Sequence, residues 1–367
     1  MAKILLLSDG QLGRQVAGPG QRLTELARVL GVKHQVTLAA GLKEFNLGGV
    51  KIRVPDRDLK KKLDDFDLII AKPEAVSAFR LPRTRGKLVL DLYCPSFLEN
   101  LEAGRFQVKE IAILKKIMAR ADFFICANEY QQDLYLGLLL EAKKTDRSLP
   151  LNDLIGLVPT GLDAAPPTHS AKVLKGIVPG IAPADKVIIW WGGIWDWLDP
   201  ATAIRAVAQL AQTRPDVRLV FFSGNAAKAV SLAKETGTYG RSVLFLDRWV
   251  PYEERGNYLL ESDIGLITHR ATLETRFSWR TRVLDYFWAD LPVISSAGDS
   301  MAALIDKYQL GKVVPPAAPD RLARAILELL ENGNEYRQIK ENIKRFKPAL
   351  YWEKAIEPLE RFIAARS

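Results

Sequence analysis

The chain has 367 residues, 48% hydrophobic and 26% charged, a balance that fits a soluble two-domain globular protein and excludes a disordered or fibrous one. Its net charge of +9 narrows the partners to anionic ones: nucleic acid, an anionic membrane face or a phosphorylated substrate. Only Cys94 and Cys126 are present, which argues against a disulfide scaffold or a Cys-ligated metal site and suits a reducing cytosol.

In chain order, residues 4–7 read as a first strand, too short to be the apolar core of a signal peptide. A loop through Ala17, Gly18, Pro19 and Gly20 leads to residues 21–30, whose apolar positions 23, 26, 27 and 30 repeat as an amphipathic helix does. Further strands are predicted over 35–39, 68–71, 88–92 and 123–127, with one long helix over 99–119. The turn 158–163 (Val-Pro-Thr-Gly-Leu-Asp) and the Pro-rich stretch after it end the first half. The second half restarts the alternation, with strands over 187–191, 218–223, 243–246, 264–268 and 293–296, and helices over 200–211, within 315–331 and over 351–365. No apolar run approaches the roughly 18 residues that span a bilayer.

The densest polar chemistry lies between His269 and Asp299. Glu274, Thr275, Arg276, Ser278, Arg280 and Arg282 precede a helical face and then the strand-like run Leu291-Pro292-Val293-Ile294. Within it, Arg282-Val283-Leu284-Asp285-Tyr286 resembles the Lys-Leu-Leu-Glu-Tyr segment of family 4 (group 1) glycosyltransferases. Leu-Pro-Val-Ile is also theirs, and the turn 158–163 is similar to their Val-Pro-Asn-Gly-Val-Asp. The resemblance implies the α/β GT-B fold: two Rossmann-like domains facing across a cleft, with a C-terminal helix crossing back to the first. The expected division is residues 1–163 for an acceptor domain, 164–345 for a nucleotide-sugar donor domain, and 346–367 for the returning helix.

The resemblance also implies roles. Gly18 and Gly20 would form the glycine-rich loop facing the donor diphosphate, where backbone approaches a ligand closely and free helix amides attract phosphate. Gly193 keeps the family's glycine after the strand 187–191, but the Arg and Lys that usually follow and clamp the phosphates are missing. Arg276, Arg280 and Arg282 are candidate replacements, since guanidinium binds phosphate through paired hydrogen bonds. Spacing puts Arg276 and Arg280 on one helix face and Arg282 with Asp285 on another. Asp285 stands where the family holds the ribose hydroxyls with a glutamate, and Phe277 stands where the other glutamate would be. Glu274 is the nearest acid. Phe277-Ser278 resembles the Phe-Gly loop, its amides at the start of the next helix suited to a diphosphate.

Other residues leave alternatives open. Trp195 and Asp196 line a sugar or acceptor site, or Trp195 is packing. His269 follows a strand at the carboxyl edge of the sheet, where α/β folds bind ligands, so it joins Glu274 as a catalytic candidate; the plain alternative is a structural histidine. Asp299 contacts the donor or caps a helix. Asp65-Phe66-Asp67 leads into a strand, away from the cleft, so no metal is expected and no cofactor beyond the nucleotide-sugar substrate. The expected partners are a nucleotide-sugar donor and a glycan or glycolipid acceptor, not nucleic acid. The basic helix 108–120 either rests on an anionic membrane or faces the core, and the expected location is cytoplasmic or peripheral at the inner membrane face. The implied reaction transfers a sugar to an acceptor hydroxyl with retention, in bacterial surface polysaccharide or glycolipid synthesis. Two rivals share the fold: a nucleotide-sugar epimerase, and a non-catalytic subunit that binds glycans or activates a partner.

Overall fold

The computed structural model describes residues 1–12, 18–42, 47, 49–142, 151–195, 197–222 and 226–365. It divides into two compact units, Met1–Gly161 together with Trp352–Ser367, and Leu162–Tyr351.

The first unit is built on seven strands: β1 (Lys3–Leu12), β2 (Gln35–Leu42), β3 (Lys51–Arg53), β4 (Leu68–Ala71), β5 (Lys87–Asp91), β6 (Phe123–Cys126) and β7 (Ile155–Leu157). They lie in the order β3-β2-β1-β4-β5-β6-β7, each parallel to its neighbours. The chain moves outward from β1 to β3, then returns to β4 and moves the other way, so the sheet reverses direction between β1 and β4. Strands β4 and β6 are buried at every position, as both faces of a covered parallel sheet require. The helix Gly18–Leu30 buries Leu23, Leu26, Ala27 and Leu30 on that sheet.

The single helix expected over 99–119 is two, Ser96–Glu102 and Lys109–Met118. Gly104, at φ +68°, takes the left-handed conformation that ends the first, and its amide donates to the Leu101 carbonyl at 3.1 Å. The returning segment begins at Trp352 rather than at 346, because the helix Gly333–Phe346 and the turn after it stay with the second unit. It consists of Trp352–Ala355 and Glu357–Ala364. Trp352, Ile356, Leu359 and Phe362 enter the core of the first unit, Phe362 stacked on Phe123 at 4.4 Å. The boundary between the units falls after Gly161, two residues before the expected one.

The second unit has six parallel strands: β8 (Lys186–Trp190), β9 (Val217–Phe222), β10 (Val243–Leu246), β11 (Ile264–Ile267), β12 (Val293–Ser296) and β13 (Gly311–Val314). Their order is β10-β9-β8-β11-β12-β13. Here the reversal falls between β8 and β11, whose carboxyl ends therefore border the crevice where such sheets bind ligands. Tyr286 locks this junction. Its hydroxyl lies 3.1 Å from the Ile189 carbonyl and 3.0 Å from that of Leu266, and it accepts from the Trp191 amide at 3.0 Å. Its ring lies flat against β11 because residue 265 is glycine: a Cβ there would meet the ring at 2.4 Å. Among the described residues, no helix is long and apolar enough to cross a membrane.

Candidate functional site

At the carboxyl end of β8 the chain turns through Trp191, Gly192 and Gly193. Gly192 has φ +85°, a conformation that side chains disfavour, and the turn brings bare backbone to the sheet edge. Arg282, from the helix Thr281–Trp288, reaches this turn and donates from Nη2 to the Gly193 carbonyl at 2.8 Å. Its guanidinium lies 5.2 Å from the Trp190 ring. Burial lowers its pKa to about 10, and Nη1 is buried with no hydrogen-bond partner. Trp195 packs its ring over Gly193, stacks with Trp197 at 6.0 Å and is half exposed. Asp196 lies outside the described residues.

Asp285, one turn along the same helix, turns instead to Arg255, whose Nε donates to Oδ1 at 3.1 Å. The Arg255 guanidinium is itself packed 3.5 Å from the Tyr252 ring and 3.9 Å from that of Trp288. Burial raises the pKa of Asp285, opposed by the charge and hydrogen bond of Arg255 and by a bond from Trp191. Nothing in the sequence drew attention to Arg255. It is 30 positions away, and only tertiary packing brings it to the carboxylate.

Beside β11 and β12 a second set of charges is sealed inside. Arg280 binds Glu274 through two hydrogen bonds, Nη1 to Oε1 at 2.9 Å and Nη2 to Oε2 at 2.7 Å, and both side chains are buried. Asp299 Oδ2 lies 3.4 Å from Arg280 Nε and 3.3 Å from His269 Nε2, within ion-pair distance of both. Burial alone would raise the pKa of Asp299; the hydrogen bond and charge of His269, then the charge of Arg280, outweigh it and hold the carboxyl below its ordinary value. Asp299 also caps the helix Ser300–Lys307, accepting from the Ala302 amide at 2.7 Å. His269 is fully buried, its amide donating to Ser296 Oγ at 3.4 Å.

The structure thus brings His269, Glu274, Arg280 and Asp299 together in one buried cluster, and Gly193 with Arg282 in another group at the β8 turn. It separates Arg276 from Arg280, which spacing had placed on one helix face. Arg276 lies in the helix Leu273–Phe277, exposed, 6.0 Å from the Phe277 ring, whereas Arg280 caps the next helix. Ser278 does not open that next helix either. Its amide donates to the Thr275 carbonyl at 3.2 Å and its hydroxyl to the same carbonyl at 2.9 Å, and the helix begins at Thr281. Among the described residues no three His, Cys, Asp or Glu side chains group as metal ligands.

In the first unit, Gly18 and Gly20 belong to the opening turn of the helix Gly18–Leu30 rather than to a loop. Ala17 lies outside the described residues. The carboxyl ends of β1 and β4 hold charges that the sequence did not single out. Lys72 Nζ lies 3.7 Å from Asp9 and 4.0 Å from Glu74. Burial would lower the pKa of Lys72, but the charges of Glu74 and Asp9 raise it. Glu74 in turn accepts a short hydrogen bond from the Ser96 hydroxyl, and its Oε2 is buried with no hydrogen-bond partner.

Two Rossmann-like units, one of seven and one of six parallel strands, define the GT-B fold. Sucrose-phosphate synthase from Thermosynechococcus elongatus has the same fold at 15% identity, with a TM-score of 0.73 and 100% of each chain covered. The Anabaena protein HepE in complex with UDP-glucose is similar at 14% identity and TM-score 0.69, covering 100% of this chain and 99% of its own. WaaG, a glycosyltransferase involved in lipopolysaccharide biosynthesis, is similar at 13% and 0.64, with 99% of each chain covered. Residues 185–332, within the second unit, match the family described as glycosyl transferases group 1. No curated protein matches it.

Proposed function

We propose that the protein transfers a sugar from a nucleoside diphosphate sugar to an acceptor hydroxyl, with retention at the anomeric carbon, in the synthesis of a bacterial surface polysaccharide or glycolipid. The observation that carries this reading is Arg282 at the Gly193 carbonyl, a half-buried cation at the end of β8 beside the point where the sheet reverses. The family lacks its usual cations in this chain's β8 turn, and Arg282 supplies one from a neighbouring helix. HepE, similar in fold, was solved with UDP-glucose, which fits a nucleotide-sugar donor.

In the reaction, the bond from the anomeric carbon to the diphosphate breaks with its electron pair left on phosphate oxygen. The acceptor oxygen forms the new bond on the same face, and its proton passes to the departing phosphate. Arg282 neutralises the developing charge, with the Gly192-Gly193 backbone allowing close approach. Arg276 adds charge from the exposed side. Asp285 accepts the ribose hydroxyls, hydrogen bonds that favour its ionised form against the burial that disfavours it. His269, Glu274 and Arg280 act as positioning residues: their ion pairs hold the chain from Thr268 to Thr281 in one shape. No metal is required by this scheme.

The acceptor falls to the first unit, and the helix Lys109–Met118 supports a glycolipid. Val108 is 78% exposed and Ile113 44%, beside the exposed Lys109 and Lys116, a surface suited to peripheral contact with an anionic membrane. The test is incubation with a panel of nucleoside diphosphate sugars and measurement of free nucleoside diphosphate and of glycosylated acceptor. Neither binding nor turnover of any donor rejects the reading. Conversion of a donor to its epimer without acceptor indicates an epimerase instead.

A further inference from the structure

The register of the first sheet sets up a second site at its amino end, opposite to the carboxyl edge where the strand reversal lies. Lys3 pairs with Gln35 and Thr37 with Lys51, so these four side chains share one face of β1, β2 and β3. That face belongs to the positions that alternate with the core residues Ile4, Val36 and Leu38. The chain from Lys62 to Phe66 borders it, and together they line an open cavity of about 430 Å³, within the size range of small-molecule sites.

Four cations line this cavity: Lys3, Lys51, Arg53 and Lys62. Arg53 and Lys62 share the Asp58 carboxylate, at 2.9 and 3.2 Å. Among the described residues Lys3 and Lys51 have no carboxylate within ion-pair distance. Among the described residues Asp65 is the one acid in the lining, so positive charge is in excess there. The remaining lining differs in kind. Gln35 and Thr37 offer neutral hydrogen-bonding groups, and the half-buried Phe66 ring offers an apolar face. Cations attract phosphate, amide, hydroxyl and carboxylate groups match sugar hydroxyls, and an aromatic face suits the C–H side of a pyranose.

We propose that this cavity binds a phosphorylated sugar, at a site separate from the donor site of the second unit. Lys3 and Lys51 hold the phosphate, Arg53 and Lys62 add to its field, and Phe66, Gln35, Thr37 and Asp65 receive the ring. Such a ligand is either a free sugar phosphate or the phosphorylated polyol headgroup of a lipid.

The test is calorimetric titration of the full chain, kept in excess UDP to occupy the donor site, with glucose-6-phosphate. Flotation with phosphatidylcholine vesicles carrying a phosphatidylinositol phosphate forms the second arm. The expected result is saturable binding to the wild type that weakens about tenfold or more in Lys3→Gln/Lys51→Gln, with thermal unfolding unchanged. Lys62→Gln, on the exposed rim, weakens binding too and serves if the double variant folds poorly. Phe66→Leu weakens glucose-6-phosphate more than inorganic phosphate. Binding in the vesicle arm alone, lost in the same variants, keeps the site and assigns it to a lipid headgroup. Binding equal in wild type and variants, no binding in either arm, or equal loss of sugar phosphate and inorganic phosphate in Phe66→Leu overturns the proposal.

Discussion

Arg22 and Asp91 meet inside the first unit through two hydrogen bonds, Nε to Oδ2 at 2.8 Å and Nη2 to Oδ1 at 3.0 Å, with neither side chain more than 3% exposed. The pair pins the helix Gly18–Leu30 to the end of β5, and the guanidinium also packs 4.6 Å from the Tyr93 ring. Removing one partner leaves the other buried and unpaired. Arg22→Ala is expected to destabilise the protein by about 3–5 kcal/mol, whereas Arg22→Met with Asp91→Leu loses much less. Urea unfolding of the two variants checks this; equal losses would show that the charge pairing is not what matters.

Gly265→Ala places a methyl group 2.4 Å from the Tyr286 ring, which the hydroxyl's bonds to β8 and β11 prevent from moving away. We expect a loss of about 1–3 kcal/mol or more from overpacking. Adding Tyr286→Ala should recover the part due to the clash, so the two substitutions should be strongly non-additive by thermal or urea denaturation.

Arg282→Ala should leave the fold intact by circular dichroism and lower the rate of nucleoside diphosphate release about 100- to 1,000-fold, the usual effect of removing one group that stabilises transition-state charge. Arg282→Lys keeps the charge without the paired donors and should recover part of the rate. An unchanged rate in Arg282→Ala would remove this residue from the reaction.

Asp299 and Asp285 make opposite contributions with pH. The folded-state pKa of Asp299 lies below the ordinary 3.8, so its stabilisation is present above that value and is lost as pH falls through the lower folded pKa. The folded pKa of Asp285 is raised, so its ionisation weakens the fold as pH rises through the ordinary range, and acid relieves that cost. Asp299→Asn should therefore flatten the acid side of the stability profile, and Asp285→Asn should remove a penalty present near neutrality. Urea midpoints at about pH 3 and about pH 6 separate the two cases.

The fold was legible where hydrophobic period dominates. The strands later found as β4, β6, β8, β11 and β12 are short unbroken apolar runs, and their alternation with helices points to parallel sheets. Strands β3, β7 and β13 were not expected. Lys51–Arg53 and Ile155–Leu157 have three residues each, too short to show a period, and Gly311–Val314 is half exposed and carries a lysine. The site was legible as a region more than as an arrangement. The 269–299 stretch does hold two of its groups, but helical spacing misled for Arg276 and Arg280 because a helix ends at Phe277 between them. Pairs such as Arg22 with Asp91 and Arg255 with Asp285 are 69 and 30 positions apart, a distance over which no local pattern speaks.

The tail that completes the first unit sets an order of assembly. During translation the second unit is contiguous, so all of Leu162–Tyr351 can close as soon as it leaves the ribosome. The first unit has no such freedom. Phe123 waits for Phe362, and the core around it stays open to chaperones until residue 363 has been made. The part of the protein synthesised first is the part that finishes folding last.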